Sequence, residues 1–270
     1  MSASSLPITL EAALRDADVI DAKARSLAIT HLAAAYLERL GHGEPLWQAA
    51  TRHDRGPEVL AALLRAIERD PALAIRAVAA TGLGQIGAPE LLTAIPDEWF
   101  TRSDADAAYL RECAAIAWTL LGEAARPVSG DRPQDCFDAV LARLRQGLRA
   151  EQPELRFQCA AGLAALAGAE AEADLVDALA RETVPQIRGG LVTAIGELDP
   201  PGAHACDLLA PLCDEPHTPT AFAAALALTA ARDPRGGPQL LRALTRPEDR
   251  GRALEALAAL GPLAPPAALP

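Results

Sequence analysis

The segment ALAIRAVAATGLGQIG, residues 72–87, decides the fold of this chain. Its last six residues, GLGQIG, fit the G-x-G-x-x-G pattern of a dinucleotide-binding turn. That pattern binds a phosphate where a strand precedes it and a helix begins within it. Here an Ala-rich amphipathic stretch precedes Gly82, and Ala-Pro follows Gly87 as in a typical helix end. The segment therefore predicts a helix that ends at Gly87, and no nucleotide site.

The same pattern recurs along the chain, in segments that align on one central residue, which we call the anchor. The anchors are Arg25, Arg76, Arg111, Arg156, Arg188, Phe222 and Arg250. Most residues seven and ten positions after an anchor are large and apolar, and those eight positions after it are small. Gly84, eight positions after Arg76, follows this rule. Its size is thus explained by close packing between neighbouring helices.

Second helical patterns lie between the anchor segments and follow Pro, Gly or acidic breaks. Helix pairs that recur about every 30 to 50 residues indicate a stacked solenoid. We therefore predict an all-α fold, an α-α superhelix of about six to seven helix pairs. It forms one domain over residues 1–262, with insertions near 41–57 and 123–135 and an irregular tail at 263–270.

Composition narrows the function further. The chain has 270 residues and a net charge of −11, which disfavours nucleic acid and anionic lipid as partners. It has neither a long uncharged apolar run nor a signal peptide, so we expect no membrane insertion. Its five cysteines are odd in number and form no C-x-x-C pair, which favours the reducing cytoplasm over a disulfide framework or a zinc knuckle.

The segment DPALAIRAVAATGLGQIGAPELLTAI, residues 70–95, resembles a HEAT repeat of the short bacterial type found in bilin lyases and many adaptor proteins. The resemblance covers most of residues 20–262 and is poorest near residue 222, where Phe replaces the anchor Arg and leaves the register of the sixth repeat open. It implies that ion pairs tie one repeat to the next. It also implies that the second helix of each pair lines a concave binding face.

Six residues are candidates for these inter-repeat ties, since Asp70 and Glu182 each lie six positions before an anchor Arg. Each carboxylate can pair with an Arg locally or in the adjacent repeat, and we favour this structural role over an anion site. The inter-repeat candidates are Asp70, Arg76, Arg111, Arg156, Glu182 and Arg188.

Partner-binding candidates come from two sources. Trp99 and Phe100, in IPDEWFTRSDAD, and Trp47, in the first insertion, are either packed beneath loops or offered to a partner. The remaining candidates are charged residues of the second helices. They are Glu58, Arg65, Glu90, Arg143, Asp174, Asp177 and Arg242.

Reactive constellations are missing from the sequence. It has no H-E-x-x-H motif, no phosphate-binding loop and no G-x-S-x-G motif. No His is followed by Glu, so the His-Glu iron ligands of HEAT-like deoxyhypusine hydroxylase are also missing. Cys206 and Cys213 lie seven apart on one helix face, where two small buried apolar residues are the simpler interpretation. We assign no catalytic, cofactor-binding or metal-binding residue.

These observations favour a non-enzymatic scaffold or adaptor that presents a HEAT-type surface to another protein, and the acidic charge is compatible with a basic surface on that partner. The alternative is a HEAT-like lyase or chaperone that acts on a bilin-type chromophore or protein. A HEAT-like DNA glycosylase fits poorly, because its groove would have to be basic.

Overall fold

The computed structural model describes residues 8–40, 55–101, 104–126, 134–198, 200–215 and 219–265. Within these ranges every regular element is helical, so the predicted all-α class is confirmed. None of the helices in these ranges is both long and apolar enough to cross a bilayer. The chain divides into two compact units, Met1–Gly147 and Leu148–Pro270, which are described separately. The single-domain organisation stays a prediction, and most of the two expected insertions falls outside the described residues.

Unit 1 contains eight α-helices within its described residues. They are α1 (Leu10–Asp16), α2 (Ala22–Leu40), α3 (Gly56–Arg69), α4 (Leu73–Ile86), α5 (Leu91–Ala94), α6 (Glu98–Thr101), α7 (Ala105–Ala125) and α8 (Gln134–Gly147). The anchors lie on α2, α4 and α7, which we call first helices. The intervening α3 and α8 are second helices.

Local sequence explains where these helices begin and end. The Thr9 hydroxyl accepts a hydrogen bond from the Ala12 N–H, and the Asp104 carboxylate accepts one from Ala107, so each caps the start of its helix. Helix α4 ends at Gly87, whose φ of 71° is the left-handed conformation that glycine adopts without strain. GLGQIG is therefore the buried last turn and cap of a helix, as predicted.

Unit 2 repeats the same arrangement. Its α-helices in the described residues are α9 (Pro153–Ala167), α10 (Glu172–Arg181), α11 (Pro185–Gly196), α12 (Ala203–Leu209), α13 (Pro219–Ala230), α14 (Gly237–Ala243) and α15 (Arg250–Leu260). Here α9, α11, α13 and α15 are first helices, and α10, α12 and α14 are second helices. Short 3-10 turns, such as Gly168–Ala171 and Ala210–Asp214, connect some of them.

First helices approach one another closely at the small residue eight positions after the anchor. A Cβ added to Gly84 on α4 would lie 2.4 Å from the Ala117 carbonyl oxygen on α7. In unit 2 a Cβ on Gly196 of α11 would lie 2.9 Å from the Ala227 Cβ on α13. The repeated small residue is thus what allows the backbones to meet, as the sequence pattern predicts.

The structure resolves the register of the sixth repeat, which differs by one position from the alignment on Phe222. Ala117 lies six positions after its anchor, and Ala227 occupies the same place if the anchor of α13 is Ala221. With Ala221 as anchor, fully buried Leu228 takes the large apolar slot at the seventh position. The sequence pattern places the anchor at Phe222, one residue too late, because position 221 holds Ala instead of Arg and a large aromatic side chain follows it.

Candidate functional site

A groove of about 650 Å³ opens on a surface formed by the first helices of unit 2. Its walls come from the end of α11, a half-buried side of α13, and the turn that leads into α15. Thr193 and Glu197 line it from α11, and Ala223 and Leu226 from α13. This volume falls within the range of pockets that bind small ligands or a few side chains of a partner.

Phe222 forms the aromatic centre of the groove. The guanidinium carbons of Arg246 and Arg252 each lie 5.6 Å from the centroid of its ring, within reach of a cation–π interaction. The Phe222 side chain is largely buried, whereas Arg252 is exposed. The ring therefore supports two guanidinium groups at the edge of the groove, and one of them faces solvent.

Charges of both signs surround this ring. Arg246 Nη2 lies 2.9 Å from Asp249 Oδ2, so the charge of Arg246 is locally compensated. Arg252, Glu197 and Glu248 have no ion-pair partner among the described residues. The groove thus combines an apolar face with one uncompensated cation and two uncompensated carboxylates.

No sequence motif predicts this groove. It lies on the first helices, whereas the resemblance to HEAT repeats implies that the second helices line the binding face. The signal that could have found it was the departure near residue 222. An Arg anchor is replaced by Ala221, and a Phe follows it in a chain with only four phenylalanines. Sequence alone could not bring Arg246 and Arg252 to that ring, because they lie 24 and 30 positions further along the chain.

The anchor arginines form a series of ion pairs between successive helix pairs. Arg25 binds Asp70 through Nε–Oδ2 at 2.8 Å, and Arg156 binds Glu182 through Nε–Oε2 at 2.7 Å. Asp70 and Glu182 therefore pair with the preceding repeat's Arg, and not with Arg76 or Arg188, which follow them in sequence. Arg188 reaches Glu215 at 3.5 Å. Each acid lies six positions before the next anchor, once Ala221 is taken as the anchor of α13.

Two anchors in unit 1 make different contacts. Arg76 donates from Nε to the Ile67 carbonyl at 2.7 Å and from Nη2 to Glu98 at 2.8 Å. Arg111 is buried and donates to the Trp99 carbonyl at 3.1 Å. Trp99 itself is fully buried, so the packed alternative holds for this residue in the structure and it presents no surface to a partner.

The other aromatic candidates differ in accessibility. Phe100 is half-buried and stacks on Trp118, with ring centroids 5.7 Å apart. Trp47 lies outside the described residues.

The charged candidates of the second helices are not gathered into one site. In unit 1, Arg65 pairs with Asp18 at 2.8 Å, Glu58 pairs with Arg55 at 3.1 Å, and Arg143 donates to the Leu92 carbonyl at 3.4 Å. Glu90 is half-buried just before α5.

The unit 2 members of this set are also dispersed. Asp174 is half-buried and Asp177 is exposed on α10, whereas Arg242 on α14 donates to the Cys213 carbonyl at 3.0 Å. Neither Asp174, Asp177 nor Arg242 lines the groove. Partner binding by these residues stays a prediction.

The thiols have the environment of core residues. Cys159, Cys206 and Cys213 are buried, and burial raises the pKa of Cys159 to about 12 and of Cys213 to about 11. A metal-binding cysteine must lose its proton, which such a pKa opposes. Among the described residues no group of three or more His, Cys, Asp or Glu is placed to hold a metal ion.

Stacked helix pairs, small residues at the contacts and ion pairs between repeats together define a helical-repeat protein. Residues 172–261 match the family model described as HEAT repeats, which confirms the resemblance inferred from the sequence. No curated protein matches the chain.

Several solved structures are similar to this chain. One is the complex of CpcE and CpcF of phycocyanin lyase from Nostoc sp. PCC7120, with 14% identity, a TM-score of 0.46, and 96% of this chain and 97% of that chain covered. An engineered protein has 18% identity and a TM-score of 0.40, with 94% and 97% covered. Human deoxyhypusine hydroxylase in complex with glycerol has 19% identity and a TM-score of 0.38, with 93% and 95% covered.

The expectation that this chain is not an enzyme is contradicted by these comparisons. Two of the similar structures, phycocyanin lyase and deoxyhypusine hydroxylase, are named as enzymes. The expectation rests on the absence of familiar motifs from a solenoid sequence. The absence of those motifs therefore does not decide whether this chain is an enzyme.

Proposed function

We propose that this HEAT-type protein binds a segment of a partner protein in the groove centred on Phe222. The observation that carries the proposal is the pair of guanidinium groups over one aromatic ring in an open groove on three successive first helices. Aromatic residues and Arg are enriched among the residues that contribute most to protein binding.

The charges of the groove indicate what the segment carries. Arg252 lacks an acidic partner among the described residues and is placed to bind a carboxylate beside an apolar side chain that contacts Ala223 and Leu226. Glu197 and Glu248 offer carboxylates to basic residues on either side, in line with a partner that has a basic surface. The net charge of −11 supports a protein partner over a nucleic acid.

Photocrosslinking tests this proposal at a single site. A benzoylphenylalanine at Ala223 lies in the groove, and one at Ala161, exposed on α9, serves as the matched control. We expect the Ala223 probe to crosslink one protein in extracts of the native host, and Arg252→Glu to abolish that adduct. Arg149→Ala, which removes an exposed Arg elsewhere in unit 2, should leave it unchanged. An adduct that persists in Arg252→Glu contradicts the proposal.

The same groove supports a second candidate, a lyase or chaperone that acts on a bilin-type chromophore. A bilin is a linear tetrapyrrole with propionate carboxylates, and Arg252, beside the apolar face of the groove, is placed to bind one of them. Coexpression with a bilin source, followed by absorbance spectroscopy of the purified protein, tests it. A bound pigment that is lost in Arg252→Glu supports this function, and a colourless protein opposes it.

We also propose that the protein works in the cytoplasm. All five cysteines are free thiols, and three of them are buried within the helical core. Mass spectrometry of alkylated protein taken directly from cells should find these three thiols reduced.

A further inference from the structure

The last first helix, α15, leaves open a slot that the other first helices bury. In those helices the residue four positions after the anchor is at most 1% exposed. These residues are Ile29, Ala80, Ala115, Ala160, Val192 and Ala225. On α15 the same position is Leu254, which is 54% exposed. A large apolar side chain thus stands in solvent at a position of inter-repeat packing.

Two neighbouring positions on α15 are open as well. Gly251 and Ala258 lie one and eight positions after the anchor, on the same side of the helix as Leu254. A Cβ added to Gly251 would have no neighbour within 4 Å, whereas one added at Gly84 or Gly196 meets the next first helix. Gly251, Leu254 and Ala258 together form what we call the stacking face.

The anchor of α15 is Arg250, and it differs from Arg25 and Arg156 in its ion pairing. Arg250 donates from Nε to the Leu244 carbonyl at 3.0 Å, as Arg25 and Arg156 donate to the carbonyls six positions before them. Those two arginines also bind a carboxylate from the next repeat. Arg250 has no carboxylate partner among the described residues. One further first helix packed against α15 could therefore both cover Leu254 and supply a carboxylate to Arg250.

We propose that the stacking face docks an Ala- and Gly-rich first helix from a second HEAT-type protein. That helix carries a small residue six positions after its own anchor, as Ala117 and Ala227 do. A carboxylate six positions before its anchor pairs with Arg250. The interface continues the contacts that already join the repeats, and it is separate from the Phe222 groove.

Helix α2, which carries the first anchor, does not supply the required contacts in a second copy of this chain. There the residue six positions after the anchor is His31, which is too large for close backbone approach. The residue six positions before the anchor is Val19, which has no charge. A head-to-tail contact with a second copy would lack both features, so we take the occupant of the stacking face to be a different HEAT-type chain.

Photocrosslinking of the full chain tests this inference. Benzoylphenylalanine replaces Leu254, and the Ala161 probe is the control. We expect an adduct to a protein with helical repeats, mapped to a helix with an acid six positions before its anchor, and its loss with Arg250→Glu. An adduct to a second copy or to a protein without such repeats, or no adduct, overturns the inference.

Binding of the identified partner, produced recombinantly, completes the test. Leu254→Glu and Arg250→Glu should each raise the Kd about tenfold or more. Because both side chains are exposed, the Tm of each variant should stay within about 2 °C of the unmodified chain. Arg149→Glu, at an exposed Arg outside both the groove and the stacking face, should leave this Kd unchanged. An unchanged Kd in the Leu254 and Arg250 variants overturns the inference.

Discussion

Arg156 and Glu182 form a two-bond ion pair between successive helix pairs of unit 2. Nε and Nη2 of Arg156 lie 2.7 and 2.9 Å from the two carboxylate oxygens of Glu182. The Glu182 side chain is 2% exposed, and it also accepts hydrogen bonds from the N–H groups of Thr183 and Val184. One buried carboxylate thus binds the Arg of the preceding repeat and accepts hydrogen bonds from the backbone at the start of the next first helix.

Removal of one partner of this pair should destabilise the fold. We expect Arg156→Ala to lower the free energy of unfolding by about 3 kcal/mol, because Glu182 is left buried without its cation. Urea unfolding followed by circular dichroism measures this change. Asp207→Asn breaks the exposed pair with Arg235 and should cost about 1 kcal/mol or less. Equal effects of the two substitutions would refute an inter-repeat role for the buried pair.

The Glu182 carboxylate should also make stability depend on pH. Burial acts to raise its pKa, but hydrogen bonds from Arg156 and the backbone outweigh burial, so the pKa lies below the ordinary 4.5. The folded state therefore favours the ionised carboxylate. Its contribution is complete above pH 4.5 and is lost as the pH falls through the folded pKa. The stability difference between the unmodified chain and Glu182→Gln should shrink in that range, and a constant difference would count against this assignment.

The small-residue contacts predict opposite outcomes for one substitution at two glycines. Gly84→Ala places a methyl group against the Ala117 backbone, which cannot move aside, and should cost about 3 kcal/mol of unfolding free energy. Gly251→Ala meets nothing and should add up to about 1 kcal/mol through helix propensity. Thermal unfolding of both variants checks the sign of each effect. Stabilisation by Gly84→Ala would disprove the packing explanation of GLGQIG.

Substitution of Trp99 should destabilise the fold more than substitution of Phe100, because Trp99 is more deeply buried. Trp99→Ala removes a fully buried indole and should lower the free energy of unfolding by about 3 to 5 kcal/mol. Phe100→Ala removes a half-buried ring stacked on Trp118, and about half of that loss is expected. Chemical unfolding measures both values. A stable Trp99→Ala variant that fails to bind a partner would instead place this residue at an interface.

Thiol reactivity should follow burial. Burial raises the pKa of all five cysteines, and raises that of Cys159 to about 12, so little reactive thiolate exists near pH 8. Cys113 and Cys136 are only half-buried and should react first with a disulfide reagent. Cys159, Cys206 and Cys213 should react only in urea. Peptide mapping of the labelled protein identifies each thiol, and rapid native labelling of Cys159 would contradict this order.

The sequence was sufficient to predict α4 and the other first helices, because the spacing of large and small residues after each anchor indicates which side of the helix packs against the next one. It could not choose between Arg76 and Arg25 as the partner of Asp70, since both arrangements satisfy the same spacing. It also placed the sixth anchor one residue late, because Phe222 is a more conspicuous substitute for Arg than Ala221. The groove depends on side chains from distant segments, so no local pattern encodes it.

Gly84 and Gly196 make the same kind of contact at two junctions, and acids six positions before an anchor recur with it. A helix pair that carries both features can make the same contacts with its neighbours as another such pair. Such a chain can lengthen by tandem duplication of a cassette of about 30 residues without redesign of either neighbour. Junctions, more than individual helices, are then the units on which selection acts.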